Sequence, residues 1–500
     1  MEHILTREQM KRCDGYTINV AGVPSVTLME RAARAALDYI TKSGVDVSRT
    51  LVVCGAGNNG GDGYALALML ACADVNVSYY KAGDADHMTP ECRHFYDGCV
   101  EAGIPQEKQS DFSQYTLIVD AFIGIGFHGE IAEEAADLIE RITASNAVVI
   151  SLDIPSGVDS NTGAAVRAVR ADATVAFAYR KPGHILYPGK THSGKVIRAD
   201  IGIKDDAIGA DERDIRVTDD AFVRTALPRR RPDSHKGTYG RVLAIAGSPG
   251  MCGAAYLSSL AAYRSGAGLV EVFTSDVNVP IIQAKLPEAV ASPWGDFPAA
   301  LVRERVKLAS AVVLGPGLGQ SDNARAIVEE VLFSEAPMVI DADALNLIAE
   351  HEELQGILRA RDAVGSLTVV TPHPAEMARL TKTSVADVVA DPVENAAAFA
   401  EEYGVICLLK GAVTAISDGT KVLLNTTGCS AMSKGGSGDV LAGVIAALMA
   451  QGADALSAAA VGAYLHGRAG EAAAARVGEY SVLASEIADC IGAAIKDIVK

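Results

Sequence analysis

Apolar positions along this chain fall into short unbroken runs, each followed by a longer stretch in which they recur every three or four residues. The first run, Thr50-Leu51-Val52-Val53, reads as a buried strand, and the residues after Gly63 carry helical spacing. Between them, CGAGNNGGDG sets five glycines and two asparagines into nine positions, 55–63. Strand, glycine-rich turn and helix in that order form a cradle for phosphate. Further runs at 75–80, 116–121, 148–153 and 173–179 are strand candidates separated by helical stretches, which predicts βαβ units and a parallel sheet. The periodicity lapses around 222–237, FVRTALPRRRPDSHKG, which is proline-rich and basic. It then restarts with a strand at 241–246, a turn at 247–250, a small-residue helix at 252–266, and strands at 269–274, 310–314, 338–341, 367–371 and 405–409. Beyond Asp439 come three helical stretches. No repeat relates the two halves. The pattern predicts two different three-layer α/β domains in tandem, 1–220 and 238–500, with mainly parallel sheets and a linker at 221–237.

Composition supports this. A chain of 500 residues exceeds one core, and 49% hydrophobic with 5% aromatic residues suits layered α/β packing. The net charge of −18 argues against a nucleic-acid or acidic-membrane partner. The basic run Arg229-Arg230-Arg231, between Pro228 and Pro232, reads as solvated linker. Nine scattered cysteines show no zinc spacing and read as small buried hydrophobes in a reducing compartment. No signal peptide and no membrane-length apolar run is present, so a soluble cytoplasmic protein is expected.

Candidate chemistry in the first half clusters at strand ends. Gly55, Gly57 and Gly60 match the dinucleotide pattern, which is weak evidence alone. Asn58, Asn59 and Asp62 add oxygen donors, and asparagine tolerates left-handed backbone, so the turn suits a cation as well as a phosphate. VDAFIGIGFHGE places Asp120 at a strand end before Gly124, Gly126 and Gly129, and LDIPSGVDSNTG places Asp153 and Ser156 at another. Ligands of open parallel sheets bind outside such ends. Either aspartate alone reads as a cap; both together point to one crevice. GHILYPGKT is not a nucleotide P-loop, because five residues separate its glycines where four are needed, and the residues after Thr191 read as strand.

In the second half, Gly435 through Leu441 precede a long apolar helix whose first N–H groups and dipole form an anion hole. Asp439, in the first turn, is set to take a proton from a substrate hydroxyl, or serves only as an acidic residue at a helix start. Asp341 and Asp343 read as caps of a strand-to-helix turn.

Together GAGNNGGDG, Asp120 to Gly129, DIPSGVDSNTG and KPGHILYPG resemble the epimerase domain of NAD(P)H-hydrate repair enzymes. GRVLAIAGSPG, LGPGLG, VIDADALN, TPHPAE, LLKGAVT and GGSGDVLAG resemble the partner ADP/ATP-dependent dehydratase, a relative of ribokinase-type kinases. TTGCSAM at 426–432 departs from the family at Cys429 and Ser430. The resemblance implies a Rossmann-like first domain and a ribokinase-like second. It implies as substrates the hydrates of NADH and NADPH, with ADP or ATP. It implies that Asn58, Asn59, Gly60, Gly61 and Asp62, with Gly124, Ile125, Gly126, Phe127, His128, Gly129 and Glu130, contact the hydrate. Asn59, Asp120 and Ser156 would hold a potassium ion, and Asp153 would sit by the reacting ring as general acid and base. In the second domain Ala254, Gly317 and His373 would line the hydrate site. Lys410, Gly411, Ala412, Val413 and Thr414 would meet the adenine nucleotide, although a plain β-turn also fits that stretch. Gly438 would stabilise the transferring phosphoryl group, Asp439 would act as base, and Glu376 would organise a magnesium-bound nucleotide. A homo-oligomer is expected, with helix 457–476 suited either to an interface or to core packing. A kinase for a small alcohol shares GGSGD, and a non-catalytic binding module shares the first domain; TPHPAE with VIDADALN, and the retained Asp62, Asp120 and Asp153, favour the repair enzyme.

Overall fold

The computed structural model describes residues 1–109, 111–209, 212–295 and 299–500. The chain divides into two units, His3–Glu212 and Arg213–Lys500, with Met1–Glu2 belonging to the second.

In the first unit the strand order is Gln106–Glu107, Val77–Lys81, Thr50–Cys54, Leu117–Ala121, Val148–Leu152, Ala173–Phe177, Lys195–Ala199, every pair parallel. The apolar runs are unbroken because both faces of this sheet are covered. Val52, Cys54, Val119 and Leu152 point into one cluster with Met29, Leu66 and Phe95 from the overlying helices. Leu51, Val53, Ile118 and Val149 point the other way, onto Leu138, Ile139 and Ile142 of helix Glu133–Thr143. The order reverses between Thr50–Cys54 and Leu117–Ala121, so a crevice opens where both strands end.

The second unit holds a larger sheet in the order Asp214–Val217, Lys421–Asn425, Thr414–Ser417, Ile406–Leu409, Thr368–Val370, Met338–Ile340, Ala311–Leu314, Arg241–Ile245, Leu269–Thr274, Val290–Pro293. Only Thr414–Ser417 runs antiparallel to its neighbours. Helices Cys252–Arg264, Ser437–Ala450, Ala455–Val477 and Ala484–Val499 supply much of one core cluster. Their small residues allow near-contact of backbones: a Cβ on Gly443 would lie 2.0 Å from Ser258 O, and one on Gly462 would lie 2.6 Å from Ile445 Cγ1. The alanine face of Ala455–Val477 is therefore buried within its own unit.

Four expectations shift. The division falls at Glu212, earlier than 220, because Asp214–Val217 pairs in parallel with Lys421–Leu424. Four residues with two charges carry too little pattern to be read as strand. The expected linker opens within a helix, Asp220–Ala226, where Asp220 accepts a hydrogen bond from Tyr464 Oη at 2.6 Å. Within the arginine run, Arg230 is not merely solvated; its guanidinium stacks on Tyr239, 3.9 Å from the ring centre. All nine cysteines are unpaired, and Cys72 is exposed where a buried side chain was expected.

Candidate active sites

In the first unit the glycine turn is shorter than its sequence suggests. Helix Asn58–Cys72 starts at once, with Gly57 as its cap residue, so Asn58 through Asp62 form its first turn and adopt no left-handed backbone. The glycines serve close packing: a Cβ on Gly60 would meet Gly55 O at 1.9 Å, and one on Gly55 would meet Phe122 O at 2.0 Å. Gly61 is held under Met29 Sδ, 2.6 Å from where its Cβ would be. This pulls the helix start onto the loop after Leu117–Ala121.

A cavity of about 510 Å³ opens there. It brings together Asn58, Asn59, Asp62, Gly124, Ile125, Gly126, Phe127 and Asp153 of the expected site. Gly60 and Gly61 lie beneath it, while His128, Gly129 and Glu130 are exposed outside its lining. Asp120 is fully buried and accepts hydrogen bonds from Ser151 Oγ (2.8 Å), Ser156 N (2.9 Å), Phe122 N (3.3 Å) and Ser156 Oγ. Burial raises its carboxyl pKa and these donors pull against that rise. Asn59 is the converse: buried, with neither amide atom partnered among the described residues. Such a group costs about 1–3 kcal/mol unless something satisfies it.

Asp153 closes the crevice in left-handed backbone, φ 61°. Its Oδ1 accepts from the buried Lys181 ammonium and from Phe177 N at 3.0 Å. His184 Nε2 meets Asp153 O at 2.8 Å while His184 Nδ1 accepts Lys181 N–H at 2.9 Å, so Nε2 carries the proton. Burial, reinforced by Lys181, lowers the His184 pKa to about 3, which keeps the ring neutral. Oδ2 of Asp153 has no partner among the described residues and the side chain lines the cavity. Burial, then Asp153 and Asp14, push the Asp62 carboxyl well above its usual range, against Lys181.

The second site assembles on the ends of strands Met338–Ile340, Thr368–Val370 and Ile406–Leu409 and on helices Pro374–Thr381 and Ser437–Ala450. Helix Ser437–Ala450 is capped by Gly436 in left-handed backbone, with Asp439 in its first turn. Lys410, just after strand Ile406–Leu409, donates to Asp341 Oδ1 at 2.7 Å and lies 3.8 Å from Glu376 Oε2. Asp341 also accepts from Thr371 Oγ1 at 2.9 Å, so it binds a lysine and a hydroxyl and does not cap a helix. Gly438 sits over this pair: a Cβ there would be 3.4 Å from Lys410 Nζ and 3.6 Å from Asp341 Oδ2. Burial, then Asp341, raise the Asp439 pKa to about 7, with Lys410 opposing. Burial works against the Lys410 charge, but Asp341, Glu376 and Asp439 together hold its pKa above the usual value.

Ala254 and Gly317 are neighbours, a Cβ on Gly317 falling 3.0 Å from Ala254 Cβ. His373 Nδ1 accepts the Ala375 and Glu376 N–H groups as a helix cap, and its Nε2 lies 3.4 Å from Glu376 Oε1. Glu376 Oε2 accepts His373 N at 2.7 Å. Gly411, Ala412 and Val413 form the turn of the hairpin that Thr414 enters as a strand residue. Asp343 holds Gly319 N at 2.8 Å.

Lys181 escaped assignment although KPGHILYPG contains it, because its buried partner is 28 residues away in sequence. Asp14 escaped too; its one signal is an acidic side chain on the helical stripe of Met10 and Ile18.

Residues 242–492 match the family model described as NAD(P)H-hydrate dehydratase, and 25–183 match that of the YjeF-related protein N-terminus. A bifunctional NAD(P)H-hydrate repair enzyme of Moorella thermoacetica is 34% identical over 99% of this chain and 97% of its own. The chain belongs to this family. A second member, from Escherichia coli, is 32% identical over 96% of this chain and 91% of its own. A ribokinase-like superfamily protein from Enterococcus faecalis, 28% identical, superposes with a TM-score of 0.50 over 57% of this chain and 96% of its own. The fold expected of both halves, mainly parallel sheets with helices on either side, is the fold observed. Among the described residues no helix is long and apolar enough to cross a membrane.

Proposed function

We propose that this chain repairs hydrated NADH and NADPH, the first unit interconverting the R and S hydrates and the second dehydrating the S form with ADP or ATP. The observation that carries it is a pair of lysine–aspartate contacts, Lys181 with Asp153 and Lys410 with Asp341, each at the carboxyl end of its own sheet, the second within electrostatic reach of Asp439.

In the first unit the hydrate's carbon bears both hydroxyl and ring nitrogen. Loss of the hydroxyl as water leaves an iminium that water re-enters from either face. Asp153, with one oxygen fixed by Lys181 and Phe177 and the other free, moves the proton. Asn58 to Asp62 and Gly124 to Glu130 hold the dinucleotide, whose pyrophosphate faces the start of helix Asn58–Cys72. The unpartnered Asn59 amide beside the Asp120–Ser156 pair supports a potassium ion held by Asn59, Asp120 and Ser156. Bound there, such an ion would supply positive charge between the two loops.

In the second unit Asp439 takes the hydroxyl proton, and Gly438 with the helix N-terminus stabilises the phosphoryl group moving to that oxygen. Phosphate then leaves where hydroxide could not. Magnesium arrives with the nucleotide and offsets its charge. Lys410 to Thr414 meet the nucleotide; Ala254, Gly317 and His373 line the hydrate. The unpaired cysteines support a reducing, cytoplasmic setting.

The test is ultraviolet recovery of NADH from a mixture of hydrate epimers, with ADP, ATP or no nucleotide. Complete recovery that requires nucleotide and magnesium supports both activities. Recovery stopping at the share of one epimer removes the epimerase, and accumulation of a stable phosphorylated product replaces the dehydratase with a kinase.

A further inference from the structure

Helix Arg7–Asn19 lies outside the matched family segment, which begins at residue 25. It nonetheless turns one face to the cavity. Met10, Lys11, Asp14 and Ile18 all line it, at the spacing of adjacent helical turns. Asp14 is thus the one carboxylate this helix presents to the cavity that Asp62 and Asp153 enter from two other elements.

Epimerisation through an iminium needs two proton transfers on opposite faces of the ring: one to the departing hydroxyl, one from the entering water. Asp153 comes from the carboxyl end of strand Val148–Leu152, and Lys181 and Phe177 hold its Oδ1, which fixes the direction of the other oxygen. A single carboxylate so held serves one face. We propose that Asp14 is the second acid–base group of the epimerisation, acting across the nicotinamide ring from Asp153. This rests on the epimerase reading of the first unit.

The step balances without a further reactant. The Asp14 carboxyl gives its proton to the hydroxyl as the carbon–oxygen bond breaks, releasing water and leaving the iminium and the Asp14 carboxylate. Water then bonds to the same carbon from the other face and gives its proton to Asp153. Solvent returns that proton to Asp14, and the reverse reaction uses the two groups in exchanged roles.

The surroundings of Asp14 suit the task. The charged and titratable groups facing the cavity are Lys11 on its own helix, Asp62 on Asn58–Cys72, Glu91 on Pro90–Glu101, Asp153, and beside Asp153 the buried Lys181. Burial and the Asp153 charge raise the Asp14 pKa to about 6, against Lys181. A group at that value both gives and takes protons near neutrality.

The experiment uses the full chain and a single hydrate epimer, following its conversion to the other by chromatography across pH 5 to 9, with dehydration of the S hydrate as the folding control. Asp14→Asn should lower epimerisation kcat on the order of 10²-fold or more, with KM little changed and S-hydrate dehydration intact. The wild-type limb near pH 6 should vanish, and Asp14→Glu should restore part of the rate. Asp14→Asn with wild-type kcat, or with its loss confined to KM and the limb retained, overturns the proposal while leaving the epimerase reading standing. A wild-type chain that does not interconvert the epimers removes that reading itself.

Discussion

Asp341→Asn should extend dehydration to lower pH. As the proposed base, Asp439 is active only as its carboxylate, so the rate should rise as pH climbs through its pKa of about 7. About one-tenth of the sites are then charged at pH 6, and about nine-tenths at pH 8. Asp341 holds that pKa up in two ways: its own charge repels the Asp439 charge, and it engages Lys410 at 2.7 Å. The asparagine keeps an oxygen for Thr371 and Lys410 but removes the charge, leaving the ammonium less neutralised. Both changes lower the Asp439 pKa. Loss of a near like charge shifts a carboxyl by ~1 unit or more, equivalent to about 1.4 kcal/mol. At pH 6 the active fraction then rises from about one-tenth to about one-half, roughly fivefold relative to the plateau. The assay is NADH absorbance from the S hydrate with saturating ADP or ATP, each variant scaled to its own high-pH rate. Glu376, also raised to about 7 by burial, titrates in the same window, so Glu376→Gln is the control; it acts on Asp439 only through Lys410 and should move the limb less. A limb that stays near 7 in Asp341→Asn, or moves only in Glu376→Gln, refutes Asp439 as the titrating base.

Three other outcomes follow from the geometry. Asp153→Asn should cut epimerisation by roughly 10²–10⁴-fold and leave S-hydrate dehydration unchanged, read by supplying each epimer separately. Gly60→Ala drives a Cβ to 1.9 Å from Gly55 O and should destabilise the first unit by about 1–3 kcal/mol or more, visible as a lowered first transition in thermal unfolding. Asn59→Leu keeps the number and branching of side-chain heavy atoms without the two unpartnered amide atoms; it should erase any difference in melting between potassium and choline salts that the wild type shows.

Much of this molecule is legible in its sequence. Local pattern sets strand, turn and helix, because a strand covered on both faces must be apolar throughout and a surface helix must repeat near every fourth residue. Thus Leu117–Ala121, Val148–Leu152 and Arg241–Ile245 lie within a residue or two of where the runs put them. Glycine-rich stretches, one after strand Thr50–Cys54 and one at the start of helix Ser437–Ala450, marked both candidate sites, and the motifs carried the family. Tertiary structure alone decided what depends on residues distant along the chain. Lys181 finds Asp153 and Lys410 finds Asp341 across gaps that no local pattern encodes. Asp14 enters the cavity only because its helix folds over the sheet. Asp214–Val217 became a strand through Lys421–Leu424, more than two hundred residues on, and that pairing moved the boundary between units. Charge is long-ranged and burial is collective, so the pKa values that give these carboxyls their chemistry exist only in the folded chain.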